Sequence, residues 1–258
     1  MCVCALQTKN QESFTYDEIQ AMMLTNPDGA GLMWSDGVTV HYRKGYFNVD
    51  KFYEDYINIR ADKKTKDVAI HFRIGTGSNV DVANCHPFPI TSVPKRIKAK
   101  QGTCDVGVMM NGIIGKSTKE FSDTALYVMR NLKSYYDTDR RFFMHFTKRQ
   151  NVLFENEISG SRFILMSKEG TKLFGKGWSD YNGKAMVSNR YWIANTAEYY
   201  KKLFRYYDDD YSYDYGYASY NYDSYDSWYE TKKAKRFAKK KSDERHKSYI
   251  DYLLEEEV

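Results

Sequence analysis

Apolar positions near the N-terminus follow strand spacing first and helical spacing afterwards. The short apolar run at 3–6 predicts a strand. Thr15 followed by Glu18 is a capping-box pattern, and the next apolar residues share one helical face. That helix is predicted to end at 26–29, where Asn-Pro-Asp-Gly is a turn sequence.

Strand spacing returns after this turn. Residues 31–34 and 38–42 flank an Asp-Gly turn and therefore predict a β-hairpin. Asn48 is placed to cap a helix whose apolar residues recur every three or four positions. A further strand is predicted at 68–72.

The stretch 75–102 has no regular pattern and contains three of the four prolines of the chain, which favours a surface loop. A strand is predicted at 106–110 and resumes at 113–114 after an Asn-Gly pair. Ser122 is expected to cap a helix that extends to about residue 135.

The pattern at 141–147 is ambiguous between helix and strand. Residues 162–166 and 172–174 predict a second hairpin, and 186–187 predict a last short strand. Strands at both ends with helices between them indicate a layered α+β domain.

Composition divides the chain of 258 residues into three parts. The net charge of +5 combines +9 over 1–205, −6 over 206–229 and +2 over 230–258. Residues 206–229 hold 10 of the 24 tyrosines and no lysine or arginine. We therefore expect a folded domain at 2–205, a disordered Tyr/Asp-rich linker at 206–229 and a charged tail at 230–258 that could form a helix.

Several classes of protein do not fit this sequence. Its apolar runs are far shorter than the roughly 20 residues that cross a bilayer, and the N-terminus lacks the pattern of a secretory signal. The four cysteines are too few and too irregularly spaced for a disulfide framework, which favours the cytoplasm. A metal site built on Cys2 and Cys4 with His71 or His86 is not expected, because zinc-binding cysteine pairs have wider spacing.

The first candidate for chemistry is Cys2. Aminopeptidase removal of Met1 would leave a cysteine that carries both a thiol and a free α-amine. The amine, with a pKa of about 8, can act as the base for the thiol, with a pKa of about 8.5. The alternative is that Cys2 is a small buried hydrophobic residue of the first strand.

Further motifs follow Cys2 in a fixed order. They are Asn-Pro-Asp-Gly-Ala-Gly at 26–31, His-Phe-Arg-Ile-Gly-Thr-Gly at 71–77, Asn-Cys-His-Pro-Phe at 84–88 and Met-Asn-Gly-Ile-Ile at 110–114. Together they resemble the class II glutamine amidotransferases of the N-terminal-nucleophile (Ntn) hydrolase superfamily over about residues 2–195. The resemblance implies a four-layer αββα sandwich of two antiparallel sheets flanked by helices.

The resemblance also implies roles for particular residues. Arg73 and Thr76 would bind the α-carboxylate of glutamine, and a guanidinium suits a carboxylate because it donates two parallel hydrogen bonds. Asn111 and Gly112 would stabilise the oxyanion. The alternatives are a surface ion pair for Arg73 and an ordinary Asn-Gly β-turn. Met110 departs from the polar residue that the family usually has there.

Two more residues complete the expected site. Asp123 would pair with the α-ammonium of the substrate, although an acid in the first helical turn is also favoured by the helix dipole. His86 would line the pocket.

The implied activity is release of ammonia from L-glutamine by a Cys2 nucleophile, with no cofactor or metal. A synthase domain is not expected in the 53 residues after Arg205, so the ammonia would pass to a separate acceptor subunit. The alternatives are hydrolysis of another amide and a non-catalytic interaction protein. The basic run at 232–241 is more typical of a solvated helix face than of a nucleic-acid or membrane contact.

Overall fold

The predicted strands assemble into two antiparallel sheets in the computed structural model, which describes residues 1–196. Within this range the strands are β1 (Val3–Thr8), β2 (Ala30–Ser35), β3 (Val40–Tyr46), β4 (Asp67–Phe72), β5 (Phe88–Pro89), β6 (Gln101–Cys104), β7 (Val106–Asn111), β8 (Arg162–Ser167), β9 (Gly170–Phe174), β10 (Ser179–Tyr181) and β11 (Ala185–Val187). The larger sheet has the order β10-β11-β1-β4-β2-β3-β6, and the smaller has the order β5-β7-β8-β9. The prediction of an α+β fold with two antiparallel sheets and helices is confirmed.

Helices cover the outer faces of the sheets. They are α1 (Tyr16–Thr25), α2 (Val49–Ala61), α3 (Pro94–Ile97), α4 (Asp123–Tyr127), α5 (Lys133–Thr138), α6 (Phe142–His145) and α7 (Lys148–Glu157), with a π-helix at Val128–Leu132 and a 3₁₀-helix at Tyr191–Asn195. Across residues 1–196, every helix is too short or too polar to span a lipid bilayer.

Side-chain capping fixes the starts of the predicted helices. Thr15 and Glu18 form the reciprocal capping box at α1, and Asn48 accepts the backbone N–H of Lys51 at α2. Ser122 accepts the N–H of Ala125 at α4. These bonds satisfy backbone donors that the first helical turn leaves unpaired.

The core consists of three apolar clusters whose members alternate along the strands. Val3 and Ala5 of β1 face α1, α2 and the 3₁₀-helix, whereas Cys4 and Leu6 face the smaller sheet. Met109 of β7 meets them in the cluster between the sheets. The third cluster lies between the outer face of the smaller sheet and helices α4, α6 and α7. Cys2 shares the side of β1 that Cys4 occupies, which places it at the edge of the space between the sheets.

Three predictions about elements are corrected. The stretch 75–102 is not simply a surface loop, because residues 84–91 are buried and it contributes β5, α3 and part of β6. Strand pairing is not resumed at 113–114. The helix after Ser122 does not continue as one α-helix, since a π-helical turn at Val128–Leu132 interrupts it. The ambiguous segment 141–147 contains α6.

The linker predicted at 206–229 and the charged tail predicted at 230–258 lie outside the described residues. The domain boundary at 205 lies there as well.

Lys44 of β3 is a fully buried cation that holds part of the 75–102 stretch. Its Nζ donates hydrogen bonds to the carbonyls of Ala83 (2.9 Å) and Ile97 (2.7 Å) and lies 4.2 Å from the centre of the Phe88 ring. Among the described residues, no carboxylate forms an ion pair with it. Burial therefore lowers the pKa of Lys44 to about 7, with a smaller opposing effect from Cys85 and Asp81.

We expect this lysine to make stability depend on pH. The unfolded chain binds more protons than the folded chain between the lowered pKa of about 7 and the ordinary pKa of 10.5. The free energy of unfolding of the native protein should therefore rise, relative to that of Lys44→Met, by on the order of 2–3 kcal/mol between pH 6.5 and 9.5. Urea unfolding of both proteins across this range measures the difference, and parallel pH profiles would contradict it.

Candidate active site

Cys2 lies at the start of β1, where two neighbouring segments hold it in place. The backbone N–H of Ile74 donates to its Sγ (3.3 Å), and the thiol donates in return to the carbonyl of Ile74 (3.5 Å). Asn189 donates from Nδ2 to the Cys2 carbonyl at 2.7 Å. The main chain and thiol of Cys2 are thus held by residues that follow β4 and β11, the two strands on either side of β1.

The environment of Cys2 favours the neutral thiol. Burial raises its pKa, and the carboxylate of Asp123 adds to this effect, while the Ile74 amide, the chain terminus and Arg73 oppose it. A nucleophilic role for Cys2 would therefore require a nearby base to remove the thiol proton. Met1, which precedes Cys2, is 52% exposed.

Arg73 follows β4 directly and is buried. Its main chain pairs with the turn at 28–29. The N–H of Arg73 donates to the carbonyl of Gly29 (2.9 Å), and the carbonyl of Arg73 accepts from the N–H of Asp28 (3.0 Å). Its guanidinium donates to Ser78 Oγ (2.8 Å) and to the carbonyl of Asn79 (3.1 Å). The arginine is therefore not in a surface ion pair, and both of its present partners are neutral.

Asn111 ends β7, and its side chain is bonded to the segment that follows β11. Its Nδ2 donates to Ser188 Oγ at 2.9 Å, and the same oxygen accepts the N–H of Cys4 at 2.9 Å. Asn111 thus links the smaller sheet to β1.

Gly112 occupies a position that only glycine fits. Its φ is +141°, and a Cβ at this position would lie 2.5 Å from Ser161 Oγ and 2.8 Å from Ser161 Cα. The backbone of Gly112 can therefore approach the cavity closely, immediately after the strand that carries Asn111.

Asp123 opens helix α4 and connects it to the loop after Gly112. Its Oδ2 accepts the N–H of Ile114 (2.8 Å), and its Oδ1 accepts the N–H of Thr124 (2.8 Å). Asp123 and Arg73 both line the same small cavity.

Two buried histidines stand behind these residues. The rings of His71 and His86 are 4.1 Å apart, and His71 Nε2 is bonded to the carbonyl of Met110 (3.1 Å). Burial and the charge of Arg73 lower the pKa of His71 to about 3. Burial, with nearby His71, Lys44 and Arg73, also holds the pKa of His86 well below its usual range. Both rings are neutral at physiological pH.

Six of the seven residues expected from the sequence line one cavity of about 30 Å³: Cys2, Arg73, Thr76, His86, Gly112 and Asp123. Asn111 is not among the lining residues. Sequence patterns gave no sign of Ser78 and Ser117, which also line the cavity. Both are small polar residues in loops, where no periodicity marks the side that faces a pocket.

Two loops meet beside the cavity, and each contributes lining residues. The N–H of Asn79 donates to the carbonyl of Lys119 at 2.9 Å. A Cβ on Gly77 would lie only 2.3 Å from Ser117 Oγ. A volume of about 30 Å³ accommodates one water molecule and is too small for an amino acid. Binding of a larger molecule therefore requires the cavity to widen, and the contact between these loops is one place where it could.

Residues 1–196 contain no group of three or more His, Cys, Asp or Glu side chains arranged to hold a metal ion. The four cysteines, all in this range, are free thiols.

No protein-family model matches the chain, and no curated protein matches it. Among solved structures, the chain is similar to glutamine phosphoribosylpyrophosphate (PRPP) amidotransferase from B. subtilis, determined in complex with ADP and GMP. The identity is 14% and the TM-score 0.34, over 65% of this chain and 35% of that one. The present chain thus matches about a third of the length of that enzyme. A likeness at this level assigns no residue a role.

A disulfide between the two loops should keep the cavity closed. The distance from a Cβ on Gly77 to that of Ser117 is 3.6 Å, within the range of disulfides. We expect oxidised Gly77→Cys/Ser117→Cys protein to react with iodoacetamide at Cys2 about tenfold or more slowly than the same protein after reduction. Peptide mass spectrometry follows Cys2 separately from the introduced thiols.

The variant Gly77→Cys alone is the control, since it cannot form the cross-link. Equal labelling of Cys2 in the oxidised and reduced double variant would mean that these loops do not control access.

Proposed function

We propose that this chain is an Ntn-type glutamine amidotransferase domain that releases ammonia from L-glutamine with Cys2 as nucleophile. The observation that carries the proposal is the convergence of Cys2, Arg73 and Asp123 on one cavity, together with Gly112. These residues come from four separate segments, and the family motifs in the sequence give each a complementary task. The order of layers, with helices outside and two facing sheets inside, supports the αββα sandwich that such a domain requires.

The nucleophile requires removal of Met1. Met1 is exposed, and cleavage of its peptide bond would place an amine on the residue that carries the thiol. This amine would accept the thiol proton, a step made necessary by the burial that raises the pKa of Cys2. Nucleophile and base would then belong to the same residue.

The two charged groups on the α-carbon of glutamine have complementary partners in the cavity wall. Arg73 would bind the α-carboxylate through two parallel hydrogen bonds, assisted by the hydroxyl of Thr76. Asp123 would receive the α-ammonium. Binding would replace the present bonds of Arg73 to Ser78 and Asn79 with charge-assisted ones.

The reaction proceeds by acyl transfer. Cys2 attacks the side-chain carbonyl of glutamine, and the N–H of Gly112 would stabilise the resulting oxyanion. Asn111 would donate the second N–H of its amide, since the first is bonded to Ser188 Oγ, and because Asn111 does not line the cavity this role requires a local rearrangement on binding. The α-amine of Cys2 gives its proton to the departing ammonia, and water then hydrolyses the γ-glutamyl thioester.

The destination of the ammonia also belongs to the proposal. A separate synthase subunit would receive it in the cytoplasm. Hydrolysis of another amide and a purely binding role are the alternatives that the following experiments distinguish.

The first test concerns Cys2. Intact-mass analysis of the active protein should find Met1 removed, because an acylated amine cannot serve as base. Cys2→Ala should lower ammonia release from L-glutamine by about 1,000-fold or more, since the covalent step is lost. Cys104→Ala, which removes a buried thiol outside the cavity, is the matched control. Retention of Met1 in active protein, or equal ammonia release by Cys2→Ala, would refute the mechanism.

The second test concerns the recognition of glutamine. Arg73→Ala should raise KM for L-glutamine by about 30- to 100-fold, because a charge-assisted pair is worth about 2–3 kcal/mol. Hydrolysis of an amide without an α-carboxylate should change much less. Arg96→Ala, at an exposed arginine of α3, controls for the loss of charge. An equal effect on both amides would indicate that Arg73 does not bind the carboxylate.

A further inference from the structure

Asn189 bonds directly to Cys2, although no motif of the sequence assigns it a role. Strand pairing of β1 with β11 begins at Ala5, and the N–H of Ser188 extends it by donating to the carbonyl of Cys4 (2.9 Å). Asn189 reaches further along β1, where its Nδ2 donates to the carbonyl of Cys2 at 2.7 Å. Its side chain therefore extends the hold on β1 to the residue that is proposed as nucleophile.

The amide of Asn189 is fixed in one orientation. Its Oδ1 accepts the N–H of Tyr191 at 3.4 Å, so Nδ2 is the end that faces the Cys2 carbonyl. A flipped amide would leave both neighbours mismatched, since an N–H needs an acceptor and a carbonyl needs a donor. The backbone carbonyl of Asn189 accepts the indole N–H of Trp192 (3.2 Å), and Trp192 is fully buried. The donor that reaches Cys2 is thus anchored in the core.

Removal of Met1 would make Cys2 the end of the chain, so its amine would no longer be oriented by a preceding residue. Two hydrogen-bonded contacts on Cys2 would remain. The backbone of Ile74 holds the sulfur (3.3 and 3.5 Å), and Asn189 holds the carbonyl. Because the angles around Cα are nearly fixed, holding the sulfur and the carbonyl determines the direction of the third group, the amine.

We propose that Asn189 is a positioning residue that sets the direction of the α-amine of Cys2, an inference that rests on the proposed function. Without the hydrogen bond from Asn189, the Cys2 peptide unit can rotate, and the amine leaves the position from which it takes the thiol proton. Asn189 is not among the residues that line the cavity, so it acts only through Cys2.

Steady-state kinetics of the full-length protein test this role. Asn189→Ala should lower kcat for ammonia release from L-glutamine by about 30-fold or more, since misplacing a reacting group by about 1 Å can cost about 100-fold. KM should stay within about twofold, because the groups proposed to bind glutamine are unchanged. Asn195→Ala is the matched control, since Asn195 donates to Thr25 Oγ1 (2.8 Å) and should leave kcat unchanged. Intact-mass analysis checks that each protein has lost Met1.

The pH profile separates positioning from a general loosening of the site. In the native protein the amine, with a pKa of about 8, takes the thiol proton, so kcat should level off above about pH 8. In Asn189→Ala the thiol must ionise without this base, and burial raises its pKa, so kcat should keep rising. The deficit of the variant should therefore shrink by about tenfold or more between pH 7.5 and 9.5. Arg73 and Asp123, the charged side chains that influence Cys2, are present in both proteins.

Parallel pH profiles, or a kcat of Asn189→Ala equal to that of the native protein, would overturn the inference. If Asn189→Ala does not fold, Asn189→Leu takes its place, because leucine has a similar size and no donor. The failure of the proposed function is distinguishable, since the native protein itself would then release no ammonia from L-glutamine.

Discussion

The antiparallel pairing of β1 with β4 is the constraint on which the site depends. Val3 lies opposite Phe72, so the residues just beyond them, Cys2 and Arg73, meet at one end of the pair. A slip of one residue would move every side chain of β1 to the opposite face. The thiol would then point toward α1 and α2 instead of the space between the sheets. Register, more than any single side chain, therefore determines whether there is a site.

Behind the cavity the protein buries polar groups that are costly to bury. Lys44, Phe88, His86 and His71 form a continuous row of contacts from the carbonyls of the 75–102 stretch to the cavity wall. Within residues 1–196, neither ring nitrogen of His86 has a hydrogen-bond partner, and Nδ1 of His71 has none. These unsatisfied atoms lower the stability of the fold. Local violations of good packing concentrate at functional sites, where the strain is compensated by the rest of the fold. These contacts hold His86 in the wall of the cavity.

Local sequence patterns predicted the elements that depend on neighbouring residues. The capping box at Thr15, the Asn48 cap and the strand at 68–72 depend on neighbouring residues, and the structure has all three. The burial of residues 84–91 could not be predicted this way, because the prolines there indicate the backbone conformation and not how far the residues are buried. The hydrogen bond between Asn111 and Ser188 joins residues 77 positions apart, and no pattern in either segment predicts it. The motifs named five side chains and one glycine that line one cavity, but they did not predict Ser78 and Ser117, because the two loops that carry these serines have no periodicity.

The position of Met1 has a practical consequence for work with this protein. Met1 is joined to Cys2, which lines the cavity, and it is half exposed. Any affinity tag fused ahead of it would keep the nitrogen of Cys2 in a peptide bond and would add bulk beside the pocket. Under the proposed chemistry such a recombinant form would fold normally and yet be inert. Expression vectors should therefore leave the N-terminus native, so that maturation by the host's own aminopeptidase becomes part of the preparation.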